Sequence, residues 1–231
     1  MKKISIIIPA YNEASTLSVI LNKVKNTPLE HLEKEIIVID NNSKDNTFEI
    51  AKNTPGVIVY KETVKGKGAA VKCGFRHATG DILLIQDADL EYEPNDYTQV
   101  IQPILDGKTE ITNGVRIEGR LRESNKISIG LLGWLGNHTI TITTNLLYGN
   151  NAGEYEGCYK ALTKRLYESV EVNTNDFDFD NELLCKLMKK GYKPIDVPIH
   201  YYPRGYAEGK KINWRHGFKI LWTIIKYRFI D

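Results

Sequence analysis

Along the first 115 positions, apolar residues fall into short unbroken runs, each followed by a polar cluster. Ile4–Ile8, Glu35–Asp40, Val57–Tyr60 and Ile82–Ile85 each read as a strand. Runs without strict alternation predict strands buried on both faces, as in parallel sheets. Between them, helices are predicted near Ser15–Lys25, from about Asp45 or Asn46, from the Gly66-Lys67-Gly68 turn to about Ala78, and from Pro94 to about Asp106. Such alternation with short turns predicts an α/β fold, a mostly parallel central sheet with helices on both faces. Tyr11-Asn12-Glu13, Asp40-Asn41-Asn42-Ser43 and Asp87-Ala88-Asp89 all fall at carboxyl ends of strands. One crevice collects them.

The second half is less regular. Glu110–Arg116 reads as a strand entering a polar loop with Arg116, Arg120 and Arg122, which either forms a solvated face or grips phosphate with bidentate forks. Residues 127–149 carry no formal charge with His138 neutral, yet Asn137, Asn145 and several threonines make them too polar to span a membrane. Ile127, Leu131, Trp134, Leu135, Ile142 and Leu146 lie near one helical face, while Thr139–Thr143 alternates as a strand would. The expectation is a pair of amphipathic helices, either buried or presenting apolar surface to lipid. Gly157–Leu162 reads as a strand, Asp178–Lys190 as a helix carrying Glu182, and Ile195–Tyr201 as an edge strand restricted by Pro198. Around Gly205 and Gly209 sit Arg204, Lys210 and Lys211, a loop suited to closing over an anion or else a mobile tail. Ile212–Ile230 is an aromatic, basic amphipathic helix, an interfacial anchor or a helix packed on the domain.

Charge distribution adds more than the net value of +2. From Arg204 onward seven Lys or Arg face two acids, a local charge of +5, which leaves −3 on the rest. The basic end calls for an anionic partner. Its aromatics sit among aliphatics as a membrane face would have them, which argues for a membrane surface and against nucleic acid. Met1-Lys2-Lys3 leads straight into a strand, without the apolar stretch of a secretory leader. Cys73, Cys158 and Cys185 are odd in number and lack CxxC spacing, as reduced cytosolic thiols would be. The five scattered histidines argue against a zinc site.

Two clusters carry candidate chemistry. Asp87 and Asp89 end a buried strand, where two acids repel each other and lose solvation; either a hard divalent cation or ligand donors neutralise them, or both cap the following turn. Gly66-Lys67-Gly68 has neither P-loop spacing nor a dinucleotide fingerprint. It is a flexible connection, or it sets Lys67 at a helix N-terminus that favours phosphate.

The segments SIIIPAYNEASTL, IIVIDNNSKDNT, GKGAAVKCGFRHATGDILLIQDADLEYEP, GCYKAL, FDFDNELL and PIHYYPRGYAEGKKINWRHGFKILWTIIKYRF together resemble family 2 glycosyltransferases, in the branch of dolichol-phosphate mannose synthases and polyprenyl-phosphate hexosyltransferases. The resemblance implies a GT-A fold with a catalytic domain over 1–203, its nucleotide-sugar half at 1–115 and its acceptor half at 116–203, then a basic loop and interfacial helix over 204–231. It implies a nucleotide-diphosphate sugar donor (GDP-mannose or a UDP-sugar), a polyprenyl phosphate acceptor, and Mg2+ or Mn2+. Pro9, Tyr11, Asn12, Glu13 and Asp40 would contact base and ribose, with Lys67, Ala88 and Lys210 also along the donor. Asp87 and Asp89 would hold the metal, joined by Glu91, which stands where the mannose synthases commonly have Gln. Arg116 and Arg204 would act on donor or lipid phosphates. Glu154 replaces the usual Asp before the Gly-Cys-Tyr-Lys motif.

A lipid phosphate is already ionised, so inversion by in-line displacement needs no general base. A carbohydrate hydroxyl acceptor would need one, Glu154 or Glu182. A catalytically silent nucleotide- or membrane-binding module is the other alternative. The branch implies a peripheral protein on the cytoplasmic face of the membrane.

Overall fold

The computed structural model describes residues 2–116, 131–203 and 214–230. β1 (Lys2–Ala10), β2 (Leu32–Asp40), β3 (Val57–Lys61) and β4 (Ile82–Ile85) pair in parallel in the order β3-β2-β1-β4. Ile4, Ile6, Ile7 and Ile8 of β1 and all four residues of β4 are buried. Side chains alternate between faces along a strand, so an unbroken apolar run demands cover on both sides. The crossover helices α1 (Leu17–Asn26), α2 (Thr47–Lys52) and α3 (Lys67–His77) supply it, with α4 (Tyr97–Leu105) entered through a 3-10 turn at Pro94–Asp96.

β5 (Ile111–Arg116), β6 (Lys160–Thr163) and β7 (Ile195–Ile199) complete a seven-stranded sheet of order β3-β2-β1-β4-β6-β5-β7, with β7 at the predicted edge. β6 runs antiparallel to both β4 and β5, while β5 and β7 are parallel. A reversed strand brings its first residue, not its last, to the crevice. Lys160 therefore arrives where the other strands present their carboxyl ends.

The remaining helices are α5 (Leu131–Tyr148), α6 (Lys164–Glu168), α7 (Phe179–Lys189) and α8 (Trp214–Phe229). The expected helix pair over 127–149 is corrected: its described part is one continuous helix of 18 residues. Of the threonines that suggested a strand, Thr139 and Thr141 bond back within the helix, each donating to the carbonyl four residues earlier at 2.8 and 2.9 Å, as does the neighbouring Thr144 at 2.8 Å. α8 packs against α5 and α7, and Tyr148 Oη donates to the Ile224 carbonyl at 2.7 Å. Both α5 and α8 keep an apolar stripe outward: Trp134, Ile142 and Leu146 on one, Phe218, Trp222, Ile225 and Phe229 on the other.

Beneath β1 a buried carboxylate fastens the turn before β4. Glu35 accepts from Ser5 Oγ at 2.5 Å, from Thr79 N–H at 2.9 Å and from Thr79 Oγ1 at 2.6 Å, and pairs with Lys3 at 3.1 Å. Burial alone would raise its pKa; these donors outweigh it and bring it down to about 2. A carboxylate whose folded pKa is depressed stabilises the fold above its unfolded pKa, and that stability fades as pH falls toward the folded value. Glu35→Gln should therefore lose about 3 kcal/mol near pH 7 by urea unfolding, with the gap to wild type closing between about pH 4.5 and pH 2.

Candidate active site

Every strand exit at the crevice is shaped by its own polar residues. After β1, Asn12 adopts φ 51°, a left-handed conformation that Asn tolerates, and its Oδ1 accepts from Lys44 N–H at 2.8 Å. Its own N–H donates to Ser43 Oγ at 3.0 Å, so the first and second exits are stitched together. Tyr11 is exposed at the mouth, and Pro9 lies half-buried within β1, which runs on to Ala10. Glu13 is buried in the turn leading into α1, its Oε2 accepting from Thr16 Oγ1 at 2.8 Å. Asp40, 2% exposed, ends β2; Ser43 N–H approaches its Oδ2 at 3.4 Å, while its buried Oδ1 has no hydrogen-bond partner within the protein. A buried acceptor left open at a ligand crevice suits the N–H of a bound base.

The second exit also shapes the third. Asn41 donates to the carbonyls of Glu62 and Val64 at 3.1 and 2.7 Å and accepts from Gly66 N–H at 2.9 Å. Gly66 sits at φ +123°, and a Cβ there would lie 1.9 Å from the Asn175 carbonyl oxygen; at Gly68 it would meet Phe179 Cβ at 2.7 Å. The Ala69 N–H donates to that same Asn175 carbonyl at 3.0 Å. Only glycine lets the loop lie this close to the segment leading into α7. The consequence is the placement of Lys67, whose Nζ stands 2.6 Å from Asp87 Oδ1, both side chains one-fifth exposed. Burial disfavours the lysine's charge, but Asp87, Cys158 and Asp180 more than compensate and raise its pKa.

Asp87, Ala88 and Asp89 follow β4, with Ala88 buried between the acids. Asp89 Oδ1 accepts from Glu91 N–H at 3.2 Å, and Leu90 between them holds φ 64°. Glu91 is buried and hydrogen-bonds the Tyr201 side chain. Among the described residues no three His, Cys, Asp or Glu side chains gather as a ready cation site, so Asp87, Asp89 and Glu91 are not drawn together as a set. Asp87 and Asp89 do fit a hard divalent ion. They offer only carboxylate oxygens, Asp87 already carries one cation against it, and, after burial itself, Asp87's charge helps raise Asp180 above its ordinary value.

Arg116 ends β5 with its side chain 7% exposed. Its Nε lies 3.0 and 2.9 Å from the two Glu154 oxygens, its Nη2 2.6 Å from Oε2, and its backbone N–H 2.5 Å from Oε1. The guanidinium also rests 4.9 Å above the Tyr201 ring. Burial opposes its charge, and Tyr92 and Glu154 restore it, so the group stays a fixed cation. Glu182, the other candidate base, is equally engaged: it accepts from Asn173 and Thr174 N–H at 2.9 and 2.7 Å and pairs with Lys186 at 2.8 Å. Arg204 and Lys210 lie outside the described residues, as do Arg120 and Arg122.

Three charged residues with no assigned role join this site. Lys160 is fully buried and donates to the carbonyls of Tyr155, at 2.6 Å, and Gly157. Glu156 accepts from Asn181 Nδ2 at 3.0 Å, which sets the first turn of α7 against the loop before β6. Glu156 and Asp180 are both pushed up by burial, and Lys160 pulls both back. The motifs GCYK and FDFDNELL contain or adjoin them, yet spacing gave no reason to pair residues across twenty positions.

An open, mostly parallel α/β sheet with acids and buried cations converging at its strand ends defines a GT-A-type nucleotide-sugar transferase architecture. Residues 5–171 match the profile of Glycosyl transferase family 2, and the chain belongs to that family. It is 30% identical over 219 residues to a dolichol-phosphate mannosyltransferase of Pyrococcus furiosus, covering 90% of this chain but 59% of that protein's length. It is 28% identical to the UDP-N-acetylglucosamine–dolichyl-phosphate N-acetylglucosaminyltransferase of Methanococcus voltae, covering 97% of this chain and 95% of that one. The fold also matches the glucosyl-3-phosphoglycerate synthase of Mycobacterium tuberculosis, solved with Mn2+, UDP and glucosyl-3-phosphoglycerate, at TM-score 0.75 and 18% identity, over 100% of this chain and 81% of that one.

Gly66→Ala should destabilise the protein by about 2 kcal/mol or more in urea unfolding, through both positive φ and the Asn175 clash. Gly107→Ala, at φ +71° but facing open space, should cost only about 1 kcal/mol.

Proposed function

We propose that the protein transfers a hexose from a nucleotide-diphosphate sugar to a polyprenyl phosphate, with inversion, as a peripheral enzyme on the cytoplasmic face of a membrane. The observation that carries this reading is the state of Glu154 and Glu182, the two acids that the sequence offers as a general base. Both oxygens of Glu154 are taken by Arg116, and both oxygens of Glu182 by backbone donors or Lys186. An acceptor that must lose a proton finds no free base in either. An acceptor that arrives as a phosphate anion needs none. The names of the Pyrococcus and Methanococcus relatives, both dolichyl-phosphate transferases, point the same way.

In the proposed reaction a phosphate oxygen of the lipid forms a bond to the anomeric carbon as the bond to the nucleoside diphosphate breaks, and the electron pair leaves with the diphosphate. Lys67 neutralises charge at the diphosphate, and Arg116 orients the incoming phosphate from the far side of the crevice. Mg2+ or Mn2+, held by Asp87 and Asp89, would supply further stabilisation of the leaving group's charge. Asp40 and the residues after β1 take the base and ribose.

The lipid would be met by the outward stripes of α5 and α8, where Leu146 and Phe229 are 77% and 78% exposed. No helix among the described residues is long and apolar enough to cross a membrane. A helix with aromatic side chains outward and Lys226 and Arg228 near its end suits the interface plane instead.

The test is an assay of purified protein with Mn2+, GDP-mannose, UDP-glucose or UDP-N-acetylglucosamine, and either a short polyprenyl phosphate or a soluble sugar acceptor. One donor should yield a monoglycosylated lipid phosphate, and Asp89→Ala should reduce that rate by about 1,000-fold or more with Tm retained. Transfer only to the soluble hydroxyl would favour the base-dependent alternative. Nucleotide binding without release of nucleoside diphosphate would leave a silent binding module. Separately, Trp222→Glu with Phe229→Glu should weaken binding to anionic liposomes by on the order of tenfold or more in a flotation assay, without lowering Tm.

A further inference from the structure

Gln86 is an unexpected residue for its position. It directly follows β4, its N–H extends the ladder to the Ile7 carbonyl at 2.9 Å, and it is fully buried. An apolar side chain would fill this place without the burden of satisfying a buried amide. The amide is nearly saturated. Its Oε1 accepts from Tyr97 Oη at 2.6 Å and from Tyr159 Oη at 2.8 Å, and its Nε2 donates to the Asp87 backbone carbonyl at 2.8 Å.

The two tyrosines come from separate elements, Tyr97 opening α4 and Tyr159 preceding β6. Both are fully buried, and their rings meet edge to face with centroids 5.6 Å apart. Two hydroxyl donors on one oxygen fix which way the amide faces, so its N–H side must point to Asp87. The Asp87–Ala88 peptide is thereby held from the core side. Asp87's carboxylate hangs from that restrained unit and Asp89's one peptide further on, and the turn beyond is held at Leu90, in a left-handed conformation that a branched apolar residue rarely adopts.

We infer that Gln86 is a positioning residue: fastened between Tyr97 and Tyr159, it holds the Asp87–Ala88 peptide so that Asp87 and Asp89 meet a divalent cation together. It touches neither cation nor substrate. The inference rests on the reading of Asp87 and Asp89 as the cation-holding pair, and the experiment separates the two.

Mn2+ uptake is measured by the loss of the free-ion EPR signal, with UDP and with GDP, well below Tm. Gln86→Leu, which replaces the amide with a side chain of similar size, should raise the apparent Mn2+ Kd about tenfold, the effect expected of an outer-shell partner. Tyr97→Phe and Tyr159→Phe should each raise it a few-fold, and the double variant should approach Gln86→Leu. A purely structural role would lower Tm and leave this Kd where it was. A Kd unchanged in Gln86→Leu, while Asp87→Asn raises it, overturns the positioning role alone. An unchanged Kd in Asp87→Asn, or no Mn2+ uptake by the wild type with either nucleotide, overturns the cation reading and this inference with it. Should Gln86→Leu fail to fold, wild-type Kd values in both tyrosine variants overturn the role equally.

Discussion

The ion pair between Lys67 and Asp87 is the interaction on which the site depends. A carboxylate at the end of a strand buried on both faces has little water to hold its charge, so an opposite charge must be delivered to it. Lys67 cannot reach that point unless Gly66 and Gly68 lie flat against the Asn175–Asp176 backbone. That backbone is itself anchored: Asp178, 2% exposed, accepts from Thr223 Oγ1 at 2.9 Å, and Lys219 bridges Asp176 and Asp178 at 3.1 and 3.3 Å. A chain of contacts thus runs from α8 through the approach to α7 to the lysine in the crevice. The C-terminal helix is part of the site's support.

The same logic explains why the crevice holds so many charges of both signs. Asp87, Asp180 and Glu156 face Lys67, Lys160 and Arg116 across a few side chains, and burial raises Asp180 and Glu156. Cations fixed by backbone carbonyls, as Lys160 is, or by a fork, as Arg116 is, do not have to reorganise when a doubly charged ligand arrives. A site of this kind is prepared for phosphate chemistry more than for proton transfer. Glu154 and Glu182 are matched to cations and backbone donors, while Asp40 and Asp180 each keep one buried oxygen without a hydrogen-bond partner.

Much of this was legible in the chain. The four strands from β1 to β4 and the clusters at their exits follow from unbroken apolar runs ended by Asn, Asp and Gly, because burial on both faces leaves polar chemistry nowhere else to go. The edge position of β7 followed from Pro198. The reversal of β6 was not legible: the run Gly157–Leu162 reads as a strand in either direction, and only its neighbours β4 and β5 decide. Nor was the single helix over 131–148, since its threonines satisfy their hydroxyls inside the helix and so imitate a strand pattern without being one. Glu154 and Glu182 were legible as acids near the site but not as paired acids. Their partners, Arg116 and Lys186 with the Asn173–Thr174 backbone, are fixed by tertiary packing.

α8 joins these threads because its two faces answer to different solvents. Inward, Ile220, Ile224 and Tyr227 are buried beside α5 and α7, and Thr223 and Lys219 reach the acids that steady the crevice. Outward, Phe218, Trp222, Ile225 and Phe229 recur at the spacing of one helical stripe, beside the Trp134, Ile142 and Leu146 stripe of α5. Its inner face is apolar as in an ordinary surface helix, with Thr223 and Lys219 as polar tethers, but its outer face is apolar as well. Such an outer face is costly in water and suited to the boundary of a bilayer, where lipid solvates the aromatic side while the inner side belongs to the protein core. The element proposed to meet the membrane therefore also braces the loop that holds Lys67.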